Sequence, residues 1–246
     1  MKIALLLLVL CTPGIAVGTS IVAIKHGGPI SISTDSKQVF PSGHWKTSCK
    51  IYRFGNLYFA ADGLVDDAGR GFHYQEIVAA NFTESEDFLK TVKRVETAMG
   101  EAFRSEMEHL RAESEADFAY ETKSGPARLE IVFAEVRDGV PQLAEFSLSY
   151  SANSVPPLDA TELPCPYHCL LSLGHNAHGL EFLSTHQIQV KSMSQDALSQ
   201  ALVETEIEGD PAEVGLPVVT MRLESTGAVW VANDMGCPMT IPGPTR

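Results

Sequence analysis

The stretch from Gly18 to Gly63 places three chemically different polar residues at the edges of strand-like runs. Thr19 precedes the run Ser-Ile-Val-Ala-Ile, Asp35 follows the run Ile-Ser-Ile-Ser-Thr, and Lys50 precedes Ile-Tyr-Arg-Phe. Runs this short and this rich in β-branched and aromatic residues predict strands. The stretch therefore predicts a sheet that carries a hydroxyl, a carboxylate and an ammonium group at its strand ends.

The segment before Thr19 has the pattern of a secretory signal. Lys2 precedes an apolar run over residues 3–10, Pro13-Gly14 follows it, and Ala16-Val17-Gly18 suits signal peptidase. The run is shorter than the roughly 20 residues that a membrane-spanning helix needs. We expect residues 1–18 to be removed as a signal peptide or propeptide, leaving residues 19–246 as a single exported domain, periplasmic or secreted. A cut after Ala16 would instead leave Thr19 as an ordinary strand residue.

If Thr19 becomes the first residue, its hydroxyl and a free α-amine share one residue. A threonine hydroxyl is a poor nucleophile until a base takes its proton, and an α-amine titrates near neutrality, at about 7.7. A nearby lysine would lower the pKa of the hydroxyl, and an aspartate would orient that lysine. Lys50 and Asp35 are the candidates for these two roles.

Residues 19–63 resemble the N-terminal nucleophile (Ntn) hydrolases, specifically the branch of proteasome β-subunits and HslV-type peptidases. The resemblance rests on Thr19, Asp35, Lys50 and Gly63. It implies that these residues act as nucleophile, lysine partner, charged activator and backbone oxyanion donor, respectively. Subunits of this type also cut their own propeptides at a Gly-Thr bond, as Gly18-Thr19 would allow.

The remaining chain alternates between strand and helix patterns. Apolar spacing predicts helices over residues 66–80, 85–113, 177–185 and 194–206. We expect the charged face of the long helix over residues 85–113 to be solvated. Strands are predicted over residues 21–24, 30–33, 57–61, 129–136, 142–150, 170–173, 216–223 and 228–232. Residues 154–166 contain four prolines and are typical of a loop.

This order of elements predicts an α+β fold with two antiparallel sheets, each covered by a helix pair, because each helix pair needs a sheet face on which to bury its apolar stripe. The resemblance implies the four-layer αββα sandwich of the Ntn hydrolases.

The resemblance also implies further site residues. Ser172 and Asp210 lie near the positions that support the nucleophile in proteasome-type subunits, although neither is in register with them. The residues that would line the pocket beside the scissile bond are Gln38, Ser48, Tyr52, Ala61 and Val65. We interpret His175 and His178 as partly exposed hydrogen-bonding residues, because an N-terminal threonine needs no histidine base.

Four cysteines would remain after removal of the leader: Cys49, Cys165, Cys169 and Cys237. In an oxidising compartment they allow three pairing schemes, which the sequence does not rank. Cys165, His168 and Cys169 lack a second pair of ligands, so we predict no zinc site, no other metal and no cofactor.

The formal net charge of −13 argues against nucleic acid and anionic membranes as partners. The resemblance implies self-association into a homo-oligomer, and an exported protein would lack an ATPase partner. Our leading hypothesis is an exported threonine peptidase acting on peptide or amide substrates. A non-peptidase amidase and a catalytically inert scaffold are the alternatives.

Overall fold

The computed structural model describes residues 19–39, 44–64, 66–67, 72–123 and 125–238. The predicted leader, residues 1–18, lies outside the described residues, as does Val65. The first strands of the described chain are β1 (Ser20–His26), β2 (Ile30–Thr34), β3 (Lys37–Val39), β4 (Trp45–Thr47), β5 (Tyr52–Phe54), β6 (Leu57–Gly63), β7 (Asp66–Asp67) and β8 (Phe72–His73). The helices are α1 (Tyr74–Asn81), α2 (Phe88–Glu113), α3 (Glu115–Glu121), α4 (Ala177–Thr185), α5 (Gln187–Val190) and α6 (Gln195–Gly209). The later strands are β9 (Ala127–Arg137), β10 (Val140–Tyr150), β11 (Leu158–Cys165), β12 (His168–Gly174), β13 (Val219–Glu224) and β14 (Gly227–Ala232).

Two five-stranded antiparallel sheets form the centre of the molecule. The first sheet has the order β12, β1, β2, β13, β14, and the second has the order β11, β10, β9, β6, β5. Two short ladders, β3 with β4 and β7 with β8, lie outside these sheets. The structure therefore confirms the mixed α+β class and the antiparallel pairing of the strands.

The two sheets share one apolar core, and helices cover their other faces. Ile21 and Ala23 of β1 pack in the same core cluster as Ala60 of β6 and Val132 of β9. The alternate residues of β1, such as Val22, pack instead with α6. The outer face of the second sheet packs against α1 and α2 in a separate cluster. Period-2 alternation thus buries both faces of these central strands.

The prediction for residues 66–80 is wrong at its start, because α1 begins at Tyr74. Asp66–Asp67 pairs with Phe72–His73 in a short antiparallel ladder, which takes this backbone out of the helix. The long second helix starts at Phe88 rather than Ser85, because the Asp87 side chain accepts the N–H groups of Leu89 and Lys90.

Two further expectations need correction. Residues 154–166 are not a loop throughout, since β11 pairs with β10 from Leu158 to Cys165. This strand lies at a sheet edge, where a proline such as Pro164 is tolerated because no ladder hydrogen bond is needed on the outer side. The charged face of α2 is also not fully solvated, because Glu96 and Glu106 are buried.

Among the described residues, no helix combines the length and the hydropathy required to cross a bilayer.

Candidate active site

Thr19, Asp35 and Lys50 lie together at the start of the first strand. Lys50 Nζ donates to Thr19 Oγ1 at 2.9 Å and to Asp35 Oδ1 at 2.7 Å. Thr19 and Lys50 are only 8% and 7% exposed, and Asp35 is fully buried. Because water is excluded, the attraction between the ammonium and the carboxylate is much stronger here than at a surface. The structure thus brings together three of the four residues predicted to act in catalysis.

The Asp35 carboxylate is fixed by donors from several parts of the chain. Oδ1 accepts the Ser20 N–H at 2.9 Å, and Oδ2 accepts the N–H groups of Lys37 at 2.9 Å and Gly215 at 3.2 Å. Together with Lys50, four donors hold this carboxylate in one orientation. The Ser20 bond also ties the carboxylate to the residue that follows Thr19, so Asp35 positions both the lysine and the start of β1.

Opposing effects act on the pKa of Lys50. Burial lowers the pKa of Lys50, while the negative charge of Asp35, its hydrogen bond and the charge of Asp62 oppose that shift. A protonated Lys50 directs its charge at the Thr19 hydroxyl, which favours the alkoxide over the alcohol. This geometry can therefore activate a hydroxyl without a histidine.

Gly63 ends β6 at a position that only glycine can occupy. Its φ is +95°, and a Cβ at this position would lie 2.0 Å from the carbonyl oxygen of Arg128. The next amide, Leu64 N–H, donates to that same carbonyl at 3.2 Å. Since successive N–H groups of a strand point to opposite edges, the Gly63 N–H points away from β9, towards the side where β5 is shorter than β6.

The structure places the two predicted supporting residues differently. Ser172 lies opposite Val22 on β1, so it is several residues away from Thr19 along the strand. His175 takes the position beside Thr19, because its N–H donates to the Thr19 carbonyl at 2.8 Å. Asp210 is held close to this point, with Oδ2 3.4 Å from His175 Nδ1. The register of β1 and β12 identifies His175, and no local sequence signal does.

The predicted pocket residues lie on two sets of elements. Gln38 and Ser48 belong to the β3–β4 hairpin and its exit, where the Ser48 N–H donates to the Ser36 carbonyl at 2.8 Å. Tyr52 and Ala61 pack in the core cluster that contains α1 and α2, and the Tyr52 hydroxyl donates to the Cys49 carbonyl. The pocket assignment stays a prediction.

The sequence gives no signal for an acidic pair that lies behind Thr19. Asp62 on β6 lies opposite Glu130 on β9, and Asp62 is fully buried. Burial raises the pKa of Asp62 well above its usual value, and the charge of Glu130 raises it further, while Lys50 and the Gly63 N–H act in the opposite direction. No sequence pattern marks this pair, because it depends on the pairing register of two strands that are distant in sequence.

The four cysteines form two disulfides, Cys49–Cys237 and Cys165–Cys169. This pairing excludes a zinc site at Cys165 and Cys169, since a disulfide sulfur is not a thiolate ligand. In the part of the chain that the structure describes, no group of three or more His, Cys, Asp or Glu side chains is placed to hold a metal ion.

No protein-family model matches this sequence, and no curated protein is similar enough to it to count as a relative. Solved structures do match its fold. A helical assembly of the Anbu complex from Pseudomonas aeruginosa has a TM-score of 0.56 at 13% identity, with 88% of each chain covered.

Two other Anbu structures match over similar lengths. The Anbu (Gly-1) mutant from Hyphomicrobium sp. strain MC1 has a TM-score of 0.54 at 14% identity, with 88% of each chain covered. Anbu, the ancestral beta-subunit, from Yersinia bercovieri has a TM-score of 0.50 at 14% identity, covering 87% of this chain and 88% of its own. These likenesses do not bear on the HslV-type branch. The chain therefore shares the fold of these Anbu structures.

Proposed function

We propose that this chain is an exported threonine peptidase that acts after a cut has made Thr19 its first residue. The observation that carries the proposal is the buried contact of Lys50 Nζ with Thr19 Oγ1 at 2.9 Å and with Asp35 Oδ1 at 2.7 Å. A lysine held this way activates a hydroxyl, and the new α-amine supplies a base on the same residue. The proteasome-like fold supports the same reading.

The reaction begins when Thr19 Oγ1 forms a bond to the carbonyl carbon of the substrate. The hydroxyl proton passes to the α-amine of Thr19, and the carbonyl electron pair moves onto oxygen, which accepts the Gly63 N–H. The protonated amine then returns its proton to the leaving nitrogen as the C–N bond breaks. This step leaves an ester between the substrate acyl group and Thr19.

Water completes the cycle. It attacks the ester carbon and gives a proton to the α-amine, and that proton restores the Thr19 hydroxyl as the carboxylic acid product leaves. Lys50 remains charged throughout and stabilises the alkoxide character of Oγ1, while Asp35 balances its charge. Neither residue needs to exchange a proton with the substrate.

The decisive experiment combines intact mass with turnover of a fluorogenic peptide. The purified mature protein should begin at Thr19. A Thr19→Ala variant should lose at least about a thousandfold in kcat, as removal of a nucleophile does in other hydrolases. Thr19→Ser keeps a hydroxyl and an α-amine and should retain measurable turnover. A different first residue, or full activity of Thr19→Ala, would contradict the mechanism.

We infer that the layers follow the αββα order and that the protein self-associates. The three core clusters support the layer order, since one lies between the sheets and one lies under each set of helices. Self-association is supported by the helical assembly of the P. aeruginosa Anbu complex. Light scattering on the purified protein tests it, because a monomer at micromolar concentration would contradict this part of the proposal.

Export to the periplasm or beyond is supported by the two disulfides, since such bonds persist in oxidising compartments. Fractionation of cells that express the full chain tests this part. Peptides remain the proposed substrates, and no ATPase partner is expected outside the cytoplasm.

A catalytically inert scaffold is the second candidate. It is favoured by the absence of the expected serine beside Thr19, where the register places His175. A non-peptidase amidase is the third possibility on this fold. A screen with peptides and acyl amides separates the three, because a scaffold turns over neither class and an amidase turns over only the second.

A further inference from the structure

Asp62 is a buried carboxyl group directly beside the candidate active site. It precedes Gly63, the proposed oxyanion donor, and it is 0% exposed. Among the described residues, no atom meets the geometry of a hydrogen bond to either of its carboxyl oxygens; the N–H of the adjacent Gly63, which opposes the rise in the Asp62 pKa, comes near without meeting that geometry. Burying an ionised carboxylate without hydrogen bonds costs free energy, so packing alone does not explain an aspartate at this position.

The neighbours of Asp62 come from several elements. Glu130 lies directly across the strand pair, and its Oε2 accepts the Gly174 N–H at 3.1 Å. Gly174 itself packs on Asp62, since a Cβ there would lie 2.8 Å from Asp62 Cγ and 2.2 Å from the Thr19 carbonyl oxygen. The Asp62 carboxyl therefore lies between β6 and the first residue of the proposed mature chain.

Lys50 and Asp35 also act electrostatically on Asp62, and Glu145 on β10 interacts with Glu130. After cleavage the α-amine of Thr19 joins them. Asp35 already balances Lys50 at 2.7 Å, so the described residues offer Asp62 no cation of its own. The surroundings of Asp62 therefore favour its neutral, protonated form.

We propose that Asp62 is a positioning residue for the Thr19 nucleophile that supports turnover in its neutral form and slows it when ionised. This inference rests on the proposed function. Three effects explain why ionisation of Asp62 should slow turnover. A carboxylate at this position attracts the Gly63 N–H and repels a developing oxyanion, it disfavours the Thr19 alkoxide, and it keeps the α-amine protonated.

The direction of the pKa shift of Asp62 agrees with this geometry. Burial and the charge of Glu130 raise the pKa of Asp62, so the carboxyl stays neutral well above the usual range. The rate should rise with pH as the α-amine becomes neutral and then fall as Asp62 loses its proton. A raised pKa here also means that the folded state binds this proton more tightly than the unfolded chain does.

The test is the pH profile of kcat for peptide turnover, compared between wild type and Asp62→Asn. The amide mimics the neutral acid, so the falling limb should move up by about one pH unit or more, equivalent to a tenfold change in the proton equilibrium. If the falling limb instead reports Lys50, the loss of a neighbouring negative charge moves it down or leaves it in place. That result would overturn the role of Asp62.

Two further variants complete the design. Glu145→Gln makes the same carboxyl-to-amide change on β10, two strands away from Asp62 on β6, and should shift the falling limb much less. Asp62→Ala tests the same prediction if the asparagine variant does not fold. If turnover depends on Thr19 but the falling limb is unshifted in both Asp62 variants, the role of Asp62 is wrong and the proposed function stands. If neither the wild type nor any variant turns over the peptide, both the role of Asp62 and the proposed function are wrong.

Discussion

At the residue scale, the convergence of Thr19, Asp35 and Lys50 was predictable, because strand ends and a family resemblance both point to these positions. The sequence did not predict the positions of Asp62, Glu130 and His175 around Thr19. Their importance arises from cross-strand register, which a single sequence does not fix when the paired strands are separated by many residues. Local patterns thus identified the cluster of Thr19, Asp35 and Lys50, but not the acidic pair and the histidine beside it.

Gly63 carries a prediction at this scale. Gly63→Ala should destabilise the fold by more than the roughly 1–2 kcal/mol that a left-handed conformation costs an alanine, because its Cβ would also lie 2.0 Å from the Arg128 carbonyl. Gly139→Ala is the matched control, since Gly139 has a φ of +73° and open space around its Cβ position. Urea unfolding of both variants measures the difference, and equal losses would contradict the steric argument.

At the element scale, helices were predicted better than the strands at sheet edges. The residues of α4 and the serine cap of α6 follow from local spacing, because a helix closes its hydrogen bonds within one segment. β11 was missed, since prolines marked its sequence as a loop and only its pairing with β10 makes it a strand. The start of α1 was missed for a similar reason, as β7 and β8 bond to each other.

The attachment of α6 to the first sheet gives the next prediction. Ser199 Oγ on α6 lies 2.9 Å from Ser31 Oγ and 2.8 Å from Ser33 Oγ, and all three side chains are buried. Ser199→Ala leaves the two sheet hydroxyls with one partner fewer, so it should cost about 1–3 kcal/mol of unfolding free energy.

Ser192→Ala is the control for this measurement, because that serine is exposed outside the helix. Its free energy of unfolding should change by less than about 0.5 kcal/mol. Since β2 leads directly to Asp35, loss of the Ser199 contacts should also lower turnover. A Ser199→Ala variant as stable as wild type would mean that the hydroxyl cluster does not hold α6 to the sheet.

At the scale of the whole molecule, the disulfides could not be assigned from the sequence, because four cysteines allow three pairings and the choice depends on the folded path of the chain. Cys49–Cys237 spans 188 residues and joins the residue before Lys50 to the segment after the last strand. Cys165–Cys169 spans only 4 residues at the turn between β11 and β12. The two bonds therefore constrain the unfolded chain to very different degrees.

Removal of each bond by a paired Cys→Ala change separates these contributions. The loop-entropy relation gives about 5 kcal/mol for the Cys49–Cys237 bond and about 2 kcal/mol for the Cys165–Cys169 bond. Turnover should follow the same order, because only the first bond adjoins Lys50 and hence the proposed nucleophile. Thermal unfolding and peptide turnover of the two double variants measure both effects. If loss of the Cys165–Cys169 bond is the more damaging change, the long-range bond is not what holds Lys50 against Thr19, and the burial around Asp35 must do so alone.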